Sequence, residues 1–245
     1  MKRLLAQGFP DIYQLGKAFR LGDRGRVHNP EFTLLEWYRR GFSLRQMMAE
    51  SVELISLITG YQSVLYRAYS EVFAEATGLD AVASSREEIL THPFFSQNAM
   101  NPKHFPLRGD ALNYLMSELV EPRFDTLQIT VLYGFPADLS SQALSDPDFP
   151  GTSLRFEIYG GGMELGNGYQ EILDPQEYRR RFELENGKRD SLGKASIPLD
   201  ERFFRDLNLG LPKCCGIALG LDRTLLWAMG GSLIDEVLTF PWEEG

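Results

Sequence analysis

The segment from Phe19 to Arg39 most constrains the fold, because it predicts two antiparallel strands joined by a cationic loop. Side chains alternate between the two faces of a strand, so Phe32, Glu36 and Tyr38 are expected on one face and Trp37 on the other. One face of the second strand would therefore carry an aromatic ring, a carboxylate and a phenol.

The loop of this hairpin is rich in groups that bind anions. Arg20 closes the first strand, and Arg24, Arg26 and His28 follow in the loop. Several cationic donors suit a triphosphate, which spreads negative charge over many oxygens, so the hairpin indicates a nucleotide site. An ordinary hairpin with a solvated loop is the alternative for this segment taken alone.

Composition limits the class of protein. The 245 residues, 43% of them hydrophobic, suffice for one large or two small domains with a packed core. No apolar run approaches the ~20 residues that span a bilayer, and the start is too short an apolar stretch for a signal peptide, which predicts a cytoplasmic protein without a membrane partner. Cys214 and Cys215 are adjacent, so they are expected to remain thiols. A net charge of −9 disfavours nonspecific nucleic-acid binding, so a tRNA partner is not expected.

Periodicity predicts further elements along the chain. An amphipathic helix is expected over 43–59, with a capping box between Ser43 and Gln46 and a stop at Gly60. Residues 127–133 and 154–159 are rich in β-branched and aromatic side chains and predict strands. The remaining predictions are short helices over 70–77 and 110–120, an exposed helix and loop over 174–196, and an apolar run over 215–220 that leads into a helix over 221–229. Residues 61–125 are interpreted as an insertion or cover without chemistry of its own.

Two glutamates flank a glycine turn. Glu157 and Glu164 are separated by Gly160, Gly161 and Gly162, which predict a tight hairpin with the two carboxylates nearly opposite each other. Such a pair repels unless a cation neutralises it, and oxygen ligands suit Mg²⁺ bound together with phosphates. Solvent-facing glutamates beside a turn are the alternative.

A second arginine follows a glycine-containing strand. Arg223 is expected in the first turn of a helix after Gly216 and Gly220, where small residues let a ligand approach the backbone and the helix dipole favours an anion. The spacing matches neither a Walker loop nor a dinucleotide fingerprint. In combination with the cationic hairpin and the paired glutamates, it predicts an adenylate-forming site on an antiparallel sheet.

These segments resemble the catalytic domain of class II aminoacyl-tRNA synthetases, most closely the lysyl branch. Residues 19–32 look like motif 2, and residues 216–223 look like motif 3. Within that branch, the patterns from His28 to Tyr38 and from Gly216 to Arg223 are similar to the elongation factor P lysine ligases, which are truncated paralogues of lysyl-tRNA synthetase. The resemblance implies an α+β fold with an antiparallel sheet flanked by helices, as one catalytic domain over 1–245 that lacks the region of motif 1.

The resemblance also assigns the nucleotide-binding roles. It implies that Arg20 and Arg223 are the catalytic residues, with Arg20 on the α-phosphate and the amino-acid carboxylate. His28 and Arg223 would hold the terminal phosphates, and Phe32 would stack on adenine. The expected cofactors are ATP and Mg²⁺, with the metal on Glu157 and Glu164.

The remaining assignments concern an amino-acid substrate. The side-chain ammonium of lysine is expected among Glu36, Tyr38 and Glu171, and Asn167 lines the amino-acid pocket. Ala218 stands where lysyl-tRNA synthetases usually carry Gly, and in the ligase family this methyl group is associated with a preference for β-lysine over α-lysine.

The activity implied is ATP-dependent. Lysine or β-lysine is activated as an aminoacyl-adenylate with release of pyrophosphate, and is then passed to a lysine of elongation factor P. The alternatives are a lysyl-type enzyme that charges tRNA and a non-catalytic paralogue that binds an amino acid. The sequence departs from the family pattern at Gly22, where motif 2 usually has Glu, and in the absence of motif 1, which leaves dimerisation open.

Overall fold

The computed structural model describes residues 1–140 and 142–242. The strands within them are β1 (Ile12–Phe19), β2 (Glu31–Arg40), β3 (Val64–Ala68), β4 (Ile129–Pro136), β5 (Thr152–Gly160), β6 (Met163–Gln170) and β7 (Cys214–Gly220). The α-helices are α1 (Lys2–Ala6), α2 (Leu44–Thr59), α3 (Tyr69–Thr77), α4 (Arg86–Leu90), α5 (Pro93–Gln97), α6 (Arg108–Leu115), α7 (Pro175–Ser191), α8 (Glu201–Leu207) and α9 (Leu221–Ala228). Short 3₁₀ and π turns join some of them.

All these strands form one sheet in the order β1-β2-β7-β6-β5-β4-β3. Neighbours are antiparallel except β3 and β4, which are parallel. The predicted α+β fold with an antiparallel sheet flanked by helices is confirmed. Because β7 pairs with β2, the C-terminal strand and its following helix lie directly beside the N-terminal hairpin.

The hairpin of β1 and β2 forms as predicted. Its register runs from Ile12 opposite Tyr38 to Phe19 opposite Glu31. Trp37 is buried in the core beneath α2, and its indole N–H donates to Glu50 at 2.8 Å. The alternation of faces is therefore confirmed, with Trp37 turned towards the helices and Phe32 towards the open face.

Helix α2 covers the core face of the sheet. The capping box of Ser43 and Gln46 is present, and Gly60 ends the helix with a φ of +80°. Met47 and Ile55 are fully buried against the sheet, and each such side chain stabilises the fold by about 1.5–3 kcal/mol. The predicted helix is confirmed to within one residue at its start.

The other predicted elements are present with shifted ends, as β4, β5, α3, α6, α7, β7 and α9. Residues 61–125 join the sheet through β3, which was not predicted, and pack a cluster around Phe73 and Leu112 onto β4 and β5. Helices α1 and α8 were also missed, because five and seven residues are too few for a clear helical period. Cys214 and Cys215 are free thiols, as expected, and burial raises the pKa of each to about 12.

No helix among residues 1–140 and 142–242 combines the length and the apolar character needed to cross a bilayer.

Candidate functional site

A cleft opens on the face of the sheet opposite α2, between the β1–β2 loop, strands β6 and β7, and the start of α9. Arg20 and Arg223 both line it, although more than 200 positions separate them in the chain. The other predicted site residues that line it are His28, Phe32, Glu164, Asn167 and Ala218. The structure thus brings most of the predicted nucleotide site together.

Arg223 fastens three parts of this cleft to one another. Its Nε donates to the carbonyl of Val27 at 3.1 Å, and its Nη1 donates to the carbonyl of Glu164 at 2.9 Å. The neighbouring Asp222 accepts a hydrogen bond from the backbone N–H of Thr33 at 2.6 Å. Helix α9 is therefore tied to the hairpin loop and to β6, and this fixes where the guanidinium lies.

Arg20 lies at the mouth of the cleft and its side chain is two-thirds exposed. Its guanidinium is 3.2 Å from Asp23 and 5.5 Å from the ring centroid of Phe32. Gly22 has a φ of +86°, a left-handed conformation that favours glycine, so the turn itself accounts for Gly22. The turn also directs the Asp23 carboxylate into the cleft.

His28 lines the cleft together with Arg20 and Arg223. Burial lowers its pKa, and the nearby Arg223 and Arg20 lower it further, while Asp23 acts in the opposite direction. The imidazole is thus neutral at pH 7 in the free protein. The negative charge of a bound phosphate would raise the pKa of His28 and favour the protonated imidazole.

The predicted arrangement of Glu157 and Glu164 is wrong in its register. The glycine hairpin forms, but Glu157 lies opposite Asn167, and Glu164 lies opposite Tyr159. The turn at Gly161 and Gly162 already pairs Glu164 with Tyr159, and a bulge between Ile158 and Tyr159 shifts the pairing by one further position, so that Glu157 faces Asn167. The two glutamates are therefore diagonal rather than opposed.

The two carboxylates nevertheless interact. Burial raises the pKa of Glu164 to about 8, and the negative charge of Glu157 adds to this, against the effects of Arg155 and Arg223. Glu157 is buried and accepts hydrogen bonds from Arg155, from Tyr159 at 2.6 Å and from Asn167 at 3.1 Å. The nearby arginines thus do not fully compensate a negative charge on Glu164 in the free protein. This is the situation expected of a carboxylate that binds a cation.

A third glutamate in this region was not predicted. Glu121 borders the same cavity as Glu157 and Glu164, at 3.5 Å from the hydroxyl of Tyr159, and burial and Glu157 raise its pKa. It lies in the part of the chain interpreted as a cover without chemistry. Among the described residues, no group of three or more His, Cys, Asp or Glu side chains has the geometry of a metal centre. Phosphate oxygens and water would supply the remaining ligands of a Mg²⁺ ion here.

The floor of the cleft is a single row of side chains across the sheet. Glu36 pairs with Ala218, Ala218 with Asn167, and Asn167 with Glu157. Paired residues of neighbouring strands point to the same face, so four predicted site residues stand side by side. Only strand order and register bring them together, since they come from four separate strands.

Tyr38 lies flat across Gly216. A Cβ atom on Gly216 would overlap the phenol ring, so this glycine is needed by a neighbouring side chain rather than by a ligand. Gly216 was expected to let a ligand approach the backbone, and the structure gives a different reason for it. Gly220, in contrast, does line the cleft.

Glu171 is fully buried at the end of this floor, and its charged neighbour is Lys2. The Lys2 ammonium is 2.9 Å from the Glu171 carboxylate and lies over the rings of Tyr169 and Tyr178. This contact was not predicted, because Lys2 stands in a short segment with no motif.

The comparisons with known proteins agree with this geometry. The antiparallel sheet places the β1–β2 hairpin with Arg20 beside strand β7, which leads into helix α9 with Arg223. This arrangement defines a class II synthetase catalytic core. The family profile described as "tRNA synthetases class II (D, K and N)" matches residues 1–244.

Curated relatives narrow the family further. The chain is 38% identical over 244 residues to the elongation factor P–(R)-beta-lysine ligase of Vibrio cholerae, covering 99% of this chain and 75% of the relative. The proteins of that name from Proteus mirabilis and Haemophilus influenzae (strain PittGG) are 37% and 36% identical, each over 98% of this chain and 74% of the relative. The chain belongs to the class II synthetase family and, within it, to the family of these ligases.

Proposed function

We propose that the protein is an ATP-dependent ligase that activates lysine or β-lysine as an aminoacyl-adenylate and transfers the aminoacyl group to a lysine side chain of elongation factor P, with release of AMP. The observation that carries the proposal is the shared cleft of Arg20 and Arg223, with His28 and Glu164 beside them. The names of the relatives supply the amino acid and the acceptor protein. The same family membership supports a cytoplasmic location.

In this mechanism the carboxylate of the amino acid attacks the α-phosphate of ATP in line, and pyrophosphate leaves. Arg20, at the mouth of the cleft, neutralises the charge that develops on the transferring phosphoryl group. His28 and Arg223 hold the terminal phosphates, and the ring of Phe32 offers a stacking surface for adenine. No protein nucleophile is needed.

Mg²⁺ would supply further charge neutralisation and a template for the phosphates. Glu157 and Glu164 would hold it, and the raised pKa of Glu164 fits a carboxylate that needs a cation. Asn167 bridges the two parts of the site, because it donates to Glu157 and also lines the nucleotide cleft.

The amino acid would lie along the floor row, with its side chain directed towards Glu36 and Tyr38. The methyl group of Ala218 stands between Glu36 and Asn167 in that row, so it narrows the pocket at its centre. This position supports Ala218 as the residue that discriminates between lysine isomers.

An ATP–pyrophosphate exchange assay with α-lysine and with (R)-β-lysine tests the first step. Transfer of the labelled amino acid to elongation factor P, measured beside transfer to tRNA, tests the second. We expect exchange with at least one isomer and transfer to the protein acceptor alone. Transfer to tRNA would favour a lysyl-tRNA synthetase activity, and ligand-induced stabilisation without exchange would indicate a non-catalytic binding protein.

A further inference from the structure

A second cavity lies beside the nucleotide cleft, between strands β4 and β5 and the segment of residues 61–125. This side cavity has a volume of about 610 Å³ and is bordered by Tyr69, Glu121 and Glu157 among others. Glu164 lines both the side cavity and the nucleotide cleft, so the two spaces meet at that side chain. A group bound in the side cavity would therefore lie next to the proposed adenylate.

The charges around the side cavity favour a cation. Four carboxyl groups and one guanidinium line it, those of Asp110, Glu121, Glu157, Glu164 and Arg155. The guanidinium of Arg155 is already occupied, because it donates to Glu157, to Asn167 at 3.2 Å and to the carbonyl of Leu139 at 2.6 Å. The other basic residue of the lining, His104, is exposed. This excess of acidic groups attracts a cation and repels a phosphate.

Glu121 has no counter-ion in the free protein. Within residues 1–140 and 142–242 it forms no ion pair with a basic side chain, and the hydroxyl of Tyr159 lies 3.5 Å from its carboxylate, at the limit of a hydrogen bond. Asp110, in contrast, already caps helix α6, and Glu157 already accepts hydrogen bonds from its neighbours. Glu121 is therefore the carboxylate of this cavity that is available to a ligand and is not assigned to Mg²⁺.

A buried hydroxyl without a partner also lies at this cavity. Tyr69 lines it and is only 1% exposed, yet its hydroxyl makes no hydrogen bond with any residue that the structure describes. The ring is held by stacking on Phe73 and by a tilted contact with Phe135. Buried polar groups are nearly always hydrogen-bonded, so this hydroxyl indicates a ligand that donates to it. The observation is independent of the carboxylates, since Tyr69 belongs to helix α3.

The remaining wall of the side cavity is largely apolar. Phe105, Met116 and Phe135 contribute to it. Met116 begins a π-helical turn that ends at Glu121, and such turns are frequent at functional sites. An apolar wall beside an uncompensated carboxylate suits an alkylammonium group, in which a methylene chain carries a terminal cation. A lysine side chain has this chemistry.

We propose that the side cavity binds the acceptor lysine of the protein substrate, with its methylene chain on the apolar wall and its ammonium on Glu121 and the Tyr69 hydroxyl. The inference rests on the proposed function for the identity of the acceptor. It brings the acceptor nitrogen to Glu164, where the side cavity meets the cleft that would hold the adenylate. Residues 61–125, interpreted from the sequence as a cover without chemistry, thus supply a binding site for the second step.

The substitution Glu121→Gln tests the anionic group, because it keeps the shape of the side chain and removes the charge. We expect the KM for elongation factor P in aminoacyl transfer to rise about tenfold, and this effect to exceed any effect on pyrophosphate exchange by at least about fivefold. Glu118→Gln is the matched control, since Glu118 lies on the same π-helical turn but is exposed and does not line the cavity. Equal losses in both steps, or an equal effect of the control, would overturn the inference.

The substitution Tyr69→Phe removes only the unpartnered hydroxyl. This hydroxyl has no partner in the free protein, so the thermal midpoint should not fall, whereas the KM for elongation factor P should rise about threefold to tenfold. A lowered midpoint would show that the hydroxyl serves the fold. A lowered midpoint or an unchanged KM would overturn its assignment to the acceptor.

Binding of a small acceptor analogue separates this inference from the proposed function. The probe is Nα-acetyl-lysine N-methylamide, which carries the alkylammonium without a free α-amine or carboxylate, and a non-hydrolysable sulfamoyl analogue of lysyl-adenylate first fills the cleft. In an NMR titration, Glu121→Gln should weaken binding of the probe at least about fivefold. The norleucine counterpart, which lacks the ammonium, should bind the parent no better than it binds the variant.

The outcomes are distinct. A parent protein that binds the probe through Glu121 but transfers nothing to elongation factor P would refute the proposed acceptor and retain the alkylammonium site. Transfer to elongation factor P with the parental KM in both Glu121→Gln and Tyr69→Phe would refute the role of the side cavity and leave the proposed function intact. A parent protein that shows neither transfer nor binding of the probe would refute both.

Discussion

At the scale of single residues, the side chains that line the cleft differ in whether they stabilise the fold or are available to bind a ligand. Arg223 stabilises the fold through two backbone carbonyls, and in the proposed function it also binds phosphate. Arg20 makes one exposed ion pair, of the kind that contributes about 0–1 kcal/mol to stability. The two arginines are thus equally central to the proposed chemistry, but Arg223 contributes much more than Arg20 to holding the fold together.

The variant Arg20→Ala should therefore lose activity and keep its fold. We expect pyrophosphate exchange to fall at least about a hundredfold, because the charge on the transferring phosphoryl group loses its main protein partner. The thermal midpoint should stay within about 2 °C, given the weak ion pair.

Arg24→Ala is the matched control for this variant. Arg24 lies in the same loop, but its guanidinium packs over the ring of Trp242 at 4.6 Å instead of entering the cleft. Near-normal exchange in Arg20→Ala, or an equal loss in Arg24→Ala, would contradict the assignment of Arg20.

Glu164 predicts a pH dependence of magnesium binding. Burial and Glu157 raise its pKa to about 8, so at neutral pH in the free protein it carries a proton that Mg²⁺ must displace. The Mg²⁺ concentration needed for half-maximal exchange should therefore fall as the pH rises from about 6.5 to about 8.5.

The same shift affects stability without metal. The unfolded chain releases this proton near the ordinary pKa of glutamate and the folded protein does so only near 8, so the free energy of unfolding should fall as the pH rises between these values. Urea titrations of the parent and of Glu164→Gln at several pH values measure the difference. Identical pH profiles for the two proteins would count against the shift.

At the scale of elements, the pairing of β2 with β7 is the junction that makes the site. It aligns Glu36 with Ala218 and lets the Tyr38 ring lie across Gly216. Gly216 of β7 is thus part of the packing that orients Tyr38 towards Glu171 and Lys2.

The substitution Gly216→Ala should disturb this junction. The added methyl group would overlap the Tyr38 ring, so we expect a loss of about 1–3 kcal/mol in unfolding free energy and a raised KM for lysine. Gly187→Ala is the matched control, since Gly187 lies within helix α7 and a Cβ atom there meets nothing within 4 Å. The control should gain about 0.5–1 kcal/mol. A Gly216→Ala protein as stable as the parent would show that the ring moves without cost.

At the scale of the whole molecule, the cleft joins both ends of the chain. The hairpin loop comes from the first thirty residues and α9 from the last twenty-five, and Arg223 links them to β6 between. The proposed nucleotide site and the fixed position of the hairpin loop therefore depend on the same side chain.

The variant Arg223→Met should reveal this coupling. We expect exchange to fall at least about a hundredfold and amide hydrogen exchange to increase in residues 20–30, because the loop loses its tie to the helix. Arg26→Met is a suitable comparison. Arg26 lies in the same loop, and among the described residues its side chain donates only to the carbonyl of Ser232. Unchanged protection of residues 20–30 in Arg223→Met would mean that other contacts hold the loop.

The sequence by itself determined the class of site and most of its elements. Alternation in β2, the capping box of α2 and the glycine turn before Glu164 are local patterns, and each formed where it was predicted. Such patterns depend on neighbours in the chain, so they can be read without the fold.

Only the tertiary structure decided which groups lie beside each charged side chain. The bulge that sets Glu157 opposite Asn167, the approach of Glu121, and the contact of Lys2 with Glu171 depend on strand register and on the packing of distant segments. Burial and charge partners act through space, so a residue as unremarked in sequence as Lys2 can lie beside a carboxylate 169 positions away. The chemistry of this pocket follows from that proximity.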